Sequence, residues 1–237
     1  MLPLVLQEVG LVEGVPTWWH GAGALGPAVA AWLSPRRRGV YGRLGPSKVA
    51  WGVIAGALAV PILFAAVGLA AASVVEVGRG PGLASILETP GLGVELLVGA
   101  LLYGIGEEPG WRGWLQPQLE RRHSVFGAAL LLTPIWAFWH APFFVYRYEF
   151  GGVGMVFVFL VGLLAGAFWL AFLLQLTGSV RVVAAWHVLW NASNLVLAEA
   201  SPVAVGVLNG LMMALGLSVA IMLARHDPQR RGRAHPG

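Results

Sequence analysis

Residues 150–180 read FGGVGMVFVFLVGLLAGAFWLAFLLQLTGSV and contain no Asp, Glu, Lys or Arg. A helix crossing the hydrocarbon of a bilayer needs about 20 largely apolar residues, so this run alone predicts a spanning helix. Charge-free runs at 49–75, 124–146 and 200–224 read the same way. Residues 182–198 are shorter and carry His187, Asn191 and Asn194. An apolar segment at 96–106 leads into a charged cluster, and the pair reads as one helical region from about 92 to 119. Residues 18–33 form the weakest span, interrupted by His20, Gly21, Gly23, Gly26 and Pro27. The fold class is an all-α, polytopic transmembrane bundle of about seven spans. Composition agrees: 57% of the 237 residues are hydrophobic and only 11% charged, with a mean hydropathy of +0.74. Soluble domains carry about 25% charged residues, so a water-soluble globule, a disordered regulator and a DNA-binding domain are excluded. The 33 Gly, 15 Pro and 11 Trp suit closely packed membrane helices with interfacial anchors.

The net charge of +4 marks topology rather than nucleic-acid binding. Fourteen of the fifteen basic residues are Arg, placed in short connectors and the C-terminal tail. Alternate connectors hold 12 basic residues on one side and 2 on the other, with Arg112 inside the third span. The positive-inside rule then predicts an outside N-terminus and a cytoplasmic C-terminus, in an integral protein of the cell membrane. The N-terminal residues MLPLVLQEVGLVEG lack the positive region and cleavage site of a signal peptide. No repeat or second domain is evident, so 1–237 reads as one membrane domain with a core at about 92–194. Residues 226–237 read as a basic cytoplasmic tail flanking the last span. With no Cys there is no disulfide, thiol nucleophile or Cys-ligated metal.

Ionisable side chains inside a membrane helix cost roughly 2.5–3.5 kcal/mol on insertion scales, so they mark function. Three clusters stand out: Glu107-Glu108-Pro109-Gly110-Trp111-Arg112, Trp136 to His140, and His187 with Asn191. Glu95 lies near the outer end of its span, where solvation suffices. Glu108 and Arg112 are four apart and share a helix face. Glu107 is rotated about 100° from Glu108 and can point elsewhere. Pro109 suits the first turn of a helix, which predicts a break here and both carboxylates at a helix N-terminus. His187 and Asn191 also share a face.

A Glu beside a His can deprotonate water and later protonate a leaving amine. A second His with an Asn can donate hydrogen bonds to a tetrahedral oxyanion. The set suits water attack on an amide without a covalent nucleophile. The competing chemistry is zinc hydrolysis, with His140, His187 and Glu107 as ligands. There is no HExxH, and the one i, i+4 pair, His187 with Asn191, contains a poor zinc ligand. Spacing leaves the metal question open.

At these residues the sequence resembles the CPBP family (CAAX protease and bacteriocin-processing, also ABI) of intramembrane endopeptidases, which includes the type II CAAX prenyl proteases. The EExxxR motif is matched by Glu107, Glu108 and Arg112. The motif of a His followed four residues later by Asn is matched by His187 and Asn191. The second motif places an aromatic residue, usually Phe, four before a His; here Trp136 precedes His140. The resemblance covers about 92–194. It implies a helical bundle with a conical cavity opening to the cytoplasm and to lipid. It implies that Glu107 and His140 activate water, that His187 and Asn191 line the oxyanion site, and that Glu108 and Arg112 act as supports. The family has been described both as metalloproteases and as glutamate proteases, and the residues matched here suit the metal-free version. The partners implied are membrane lipid and a peptide or protein substrate, prenylated or otherwise membrane-anchored. The alternatives are a proton-coupled transporter or channel, with Glu107, Glu108 and His140 as a relay, and a non-catalytic immunity or scaffold protein.

Straight helices pose a difficulty. At about 1.5 Å per residue from the cytoplasmic connectors, Glu107 lies ~20 Å deep, His140 ~25 Å and His187 only ~9 Å. Either Pro117 and Pro134 bend their helices, or the sixth helix begins well inside the membrane with Arg181 facing the cavity.

Overall fold

The computed structural model describes residues 23–35, 49–76, 88, 91–141 and 152–226. Expectations resting on residues 1–22, on the connectors bearing Arg36–Arg38, Arg43, Lys48, Arg79 and Arg147, and on the tail beyond 226 lie outside them. The described residues are all-helical: α1 (Gly26–Leu33), α2 (Trp51–Val75), α3 (Leu92–Gly110), α4 (Val125–His140), α5 (Val153–Thr177), α6 (Val180–Ala200) and α7 (Pro202–Arg225). α3 continues through a π-helical turn, Trp111–Leu115, into Gln116–Glu120.

Seven helices match the expected count. Among the described residues, three are long and apolar enough to cross a membrane by length and composition: α2, α5 and α7. α1 is the shortest of the seven, its eight residues reaching only ~12 Å. It is nevertheless docked. Added side chains on Gly106 and Gly110 would meet the backbones of Ala24 and Pro27, and Trp114 Nε1 donates to Ser34 Oγ at 2.9 Å.

Local sequence sets the helix ends. Ser124 Oγ accepts from the Gly127 amide at 3.2 Å to start α4, and Ser201 Oγ accepts from the Ala204 amide at 3.0 Å to start α7. Both are N-caps that satisfy an otherwise unpaired amide. Gly178, at φ +64°, ends α5 in the left-handed conformation that glycine adopts without strain.

The helices pack as a ring in the order α3, α6, α2, α7, α5 and α4, with the end of α3 closing against α4. Its core joins Leu132 and Trp136 of α4, Phe168 to Leu174 of α5, and Val183 and Trp186 of α6. The outside is apolar: Trp51 is 84% exposed, Phe138 82% and Val153 81%. The buried charges are inside: Glu108 and Arg112 are 0% exposed. Polar inside and apolar outside is the arrangement that lipid, not water, stabilises. The chain is an integral membrane protein.

One tight seam is between α3 and α6. A Cβ on Gly104 would stand 2.7 Å from the Val188 nitrogen and 3.0 Å from the Ala184 carbonyl oxygen. Backbone cannot yield as a side chain can, so Gly104→Ala is expected to part the two helices and cost ~1–3 kcal/mol. Gly99→Ala on the same helix, where the added methyl would meet only Leu195 at 3.8 Å, is the control. A lowered melting temperature for the first variant and none for the second is the expected result in a detergent thermal-shift series.

Candidate active site

Two corrections to the sequence reading concern α3. Pro109 lies inside the helix rather than at a fresh start. Glu107 and Glu108 therefore occupy its last turn, not a helix N-terminus. Proline removes a backbone donor and crowds the preceding turn. The chain accommodates this by loosening into the π turn, where the Trp111 amide reaches both Glu107 and Glu108 carbonyls and the Gln116 amide returns to Trp111. Such single π turns occur often at functional sites.

The turn joining α5 to α6 is itself buried, with Thr177 and Ser179 only 2% and 1% exposed and Val180 at 0%. α6 therefore starts buried inside the bundle. Arg181, at its beginning, lines a groove of about 560 Å³ together with Leu101, Ile105 and Pro109 of α3. The groove's lining includes none of the residues carried over from the family motifs.

The neighbouring carboxylates diverge as expected from one residue of rotation. Glu108 Oε1 accepts from Arg112 Nη1 at 3.0 Å and from His187 Nδ1 at 2.7 Å. One carboxylate oxygen thus ties the third helix to the sixth. Glu107 turns to α4: its Oε2 accepts from Trp136 Nε1 at 2.8 Å and from Trp111 Nε1, on its own helix, at 3.2 Å. Trp136 is the centre of the site. Arg112 Cζ lies 4.4 Å from its ring centroid, and the rings of His140 and His187 stand edge-on at 5.8 and 5.9 Å.

His140 Nδ1 donates to the Trp136 carbonyl at 2.8 Å. A carbonyl can only accept, so this bond assigns the proton to Nδ1 and makes Nε2 the basic nitrogen. His140 and His187 are 8% and 7% exposed and Glu107 1%. Five of the six residues of the motifs (Glu107, Glu108, Arg112, His140 and His187) are thus gathered around one tryptophan. Asn191 lies one turn beyond His187 on α6, half-buried, with no side-chain hydrogen bond among the described residues. Asn194 is structural: its Oδ1 accepts from Asn209 Nδ2 at 2.8 Å and ties α6 to α7.

Glu107 Oε1, Glu108 Oε2 and Arg112 Nε and Nη2 are buried without a partner among the described residues. Such a concentration of unpaired polar atoms is costly and is found where chemistry demands it. No three His, Asp or Glu side chains gather as a metal-ligating set among the described residues. Sequence reasoning missed the two indole donors. A signal existed: Trp111 is four residues after Glu107, and a buried indole N–H needs an acceptor. Asn209, a lone polar residue in an apolar run, was missed too.

Residues 89–193 match the family described as type II CAAX prenyl endopeptidase Rce1-like. Over these residues the chain is similar to that family. The matched stretch runs from just before α3 through the first two-thirds of α6 and contains every residue of the site. The family points to a protease, and to a peptide or protein substrate at the membrane. No curated protein matches the chain.

Proposed function

We propose that the protein is an intramembrane endopeptidase that hydrolyses a peptide bond of a lipidated or membrane-embedded substrate with a Glu107- and His140-activated water. The observation carrying this reading is the convergence of two carboxylates and two imidazoles from three helices around Trp136. Glu107 takes a proton from water as the hydroxide oxygen bonds to the scissile carbonyl carbon. His187 and Asn191 donate to the resulting oxyanion. The proton then passes to the amine as the C–N bond breaks, with His140 relaying it through Nε2. Donation from His187 Nε2 requires a ring protonated on both nitrogens, because Nδ1 already faces Glu108; the Glu108 carboxylate supplies the counter-charge. Glu108 and Arg112 act as supports. The metal-free route is favoured because no three His, Asp or Glu side chains gather as a ligand set among the described residues. The alternation of basic connectors supports a cytoplasmic C-terminus in the cell membrane.

The test incubates wild type and Glu107→Ala, purified in detergent, with lipid-embedded and C-terminally prenylated peptides, with and without a zinc chelator. Cleavage by wild type alone, insensitive to the chelator and read by mass spectrometry, is the expected result. Loss of cleavage with chelator and its return with zinc would overturn the mechanism but keep the protease. Equal cleavage by both proteins would remove Glu107 as the base.

A further inference from the structure

We propose that Trp136 is a positioning residue for Glu107: its indole N–H, with that of Trp111, grips Oε2 and leaves Oε1 to face the reacting water. The inference rests on the proteolytic reading given above and adds to it a residue that the family motif treats as an aromatic spacer. The usual residue there is Phe, whose ring has no hydrogen to donate. Trp136 has one, and it spends it on the general base from a different helix, at 2.8 Å.

Three observations carry the assignment. Both indole donors meet the same oxygen, Oε2, so the carboxylate is held by one edge while Oε1 makes no bond to the described protein. A carboxylate rotates about its last bond unless donors fix it, and a base aimed within a few tenths of an ångström is what proton transfer needs. Arg112 sits over the face of the same indole, 4.4 Å from its centroid. A cation on the π face draws electron density from the ring and strengthens the N–H as a donor. Finally, Trp136 touches both His140 and His187. Its one side chain thereby sets the spacing between the water-activating half of the site and the oxyanion half. Other buried tryptophans are not used in this way: Trp169 and Trp186 have indole N–H groups without partners among the described residues.

The experiment uses the full chain in detergent micelles. Indole ¹⁵N–¹H spectra of wild type and Glu107→Gln are compared, and cleavage of an internally quenched, farnesylated CaaX peptide is measured for wild type, Trp136→Phe and Trp169→Phe. Two indole resonances, those of Trp111 and Trp136, are expected to move on Glu107→Gln while the other tryptophans stay. Trp136→Phe is expected to lower kcat about 10- to 100-fold, the worth of a hydrogen bond to a charged group, with KM within about twofold. Trp169→Phe, which removes the same ring volume from the core, retains wild-type kcat. A spectrum unchanged by Glu107→Gln, or a wild-type kcat in a folded Trp136→Phe, overturns the proposal. If Trp136→Phe does not fold, the spectral comparison alone decides the bond. If wild type leaves the peptide intact while the two resonances move, the proteolytic reading fails on this probe and the grip on Glu107 stands.

Discussion

Glu107→Gln is expected to leave the bundle folded and to lower kcat by about 10²–10⁴-fold, the usual contribution of a positioned general base. Gln keeps the size of Glu and an acceptor oxygen, so the Trp136 and Trp111 indoles, at 2.8 and 3.2 Å, retain a partner. What it loses is the ability to take a proton. Arg112 remains paired to Glu108 at 3.0 Å, so no buried charge is stranded. The variant therefore separates chemistry from architecture better than Ala does, which would also orphan two indole donors. The check is steady-state kinetics beside a thermal melt: activity collapses and the melting temperature stays close to wild type. A matching fall in both would assign Glu107 to the scaffold.

Glu108→Ala has the opposite signature. Its carboxylate oxygen holds Arg112 and His187 together, and all of its side chain is buried. Removing it leaves the buried guanidinium without its ion-pair partner, which costs ~3–5 kcal/mol when a buried pair is broken on one side. It also frees His187 from the contact that joins α6 to α3, so activity falls along with stability. Replacing both partners is a different matter. Glu108→Leu with Arg112→Met removes two desolvated charges together, and such replacements are often neutral or stabilising. The expected outcome is recovered melting and unrecovered activity. An active double variant would show that neither Glu108 nor Arg112 supports the site.

Legibility differed from one element to the next. The spans at 49–75, 150–180 and 200–224 were readable to within three residues of α2, α5 and α7, because uninterrupted apolarity leaves a helix in lipid as the sole way to satisfy the backbone. The pairing of Glu108 with Arg112, and the divergence of Glu107, followed from helical rotation alone. Pro109 misled: as a helix breaker it predicted a new start, whereas the helix absorbed it by widening into a π turn. Whether a proline breaks, kinks or widens a helix depends on neighbours that hold the chain in place, here α1 against Gly106 and Gly110.

The sequence by itself determined the membrane class, the helices and five of the seven side chains that meet, since those follow from composition and from spacing along one helix. Only the tertiary structure decided how they meet. Contacts between helices depend on where each helix starts and how closely two backbones approach. The buried start of α6 and the narrow seam at Gly104 bring His187 to Glu108, and the fold of α4 against α3 turns Trp136 from a spacer into the donor that holds Glu107. Distances along the chain of 79 and 29 residues separate these pairs. No local periodicity reaches that far.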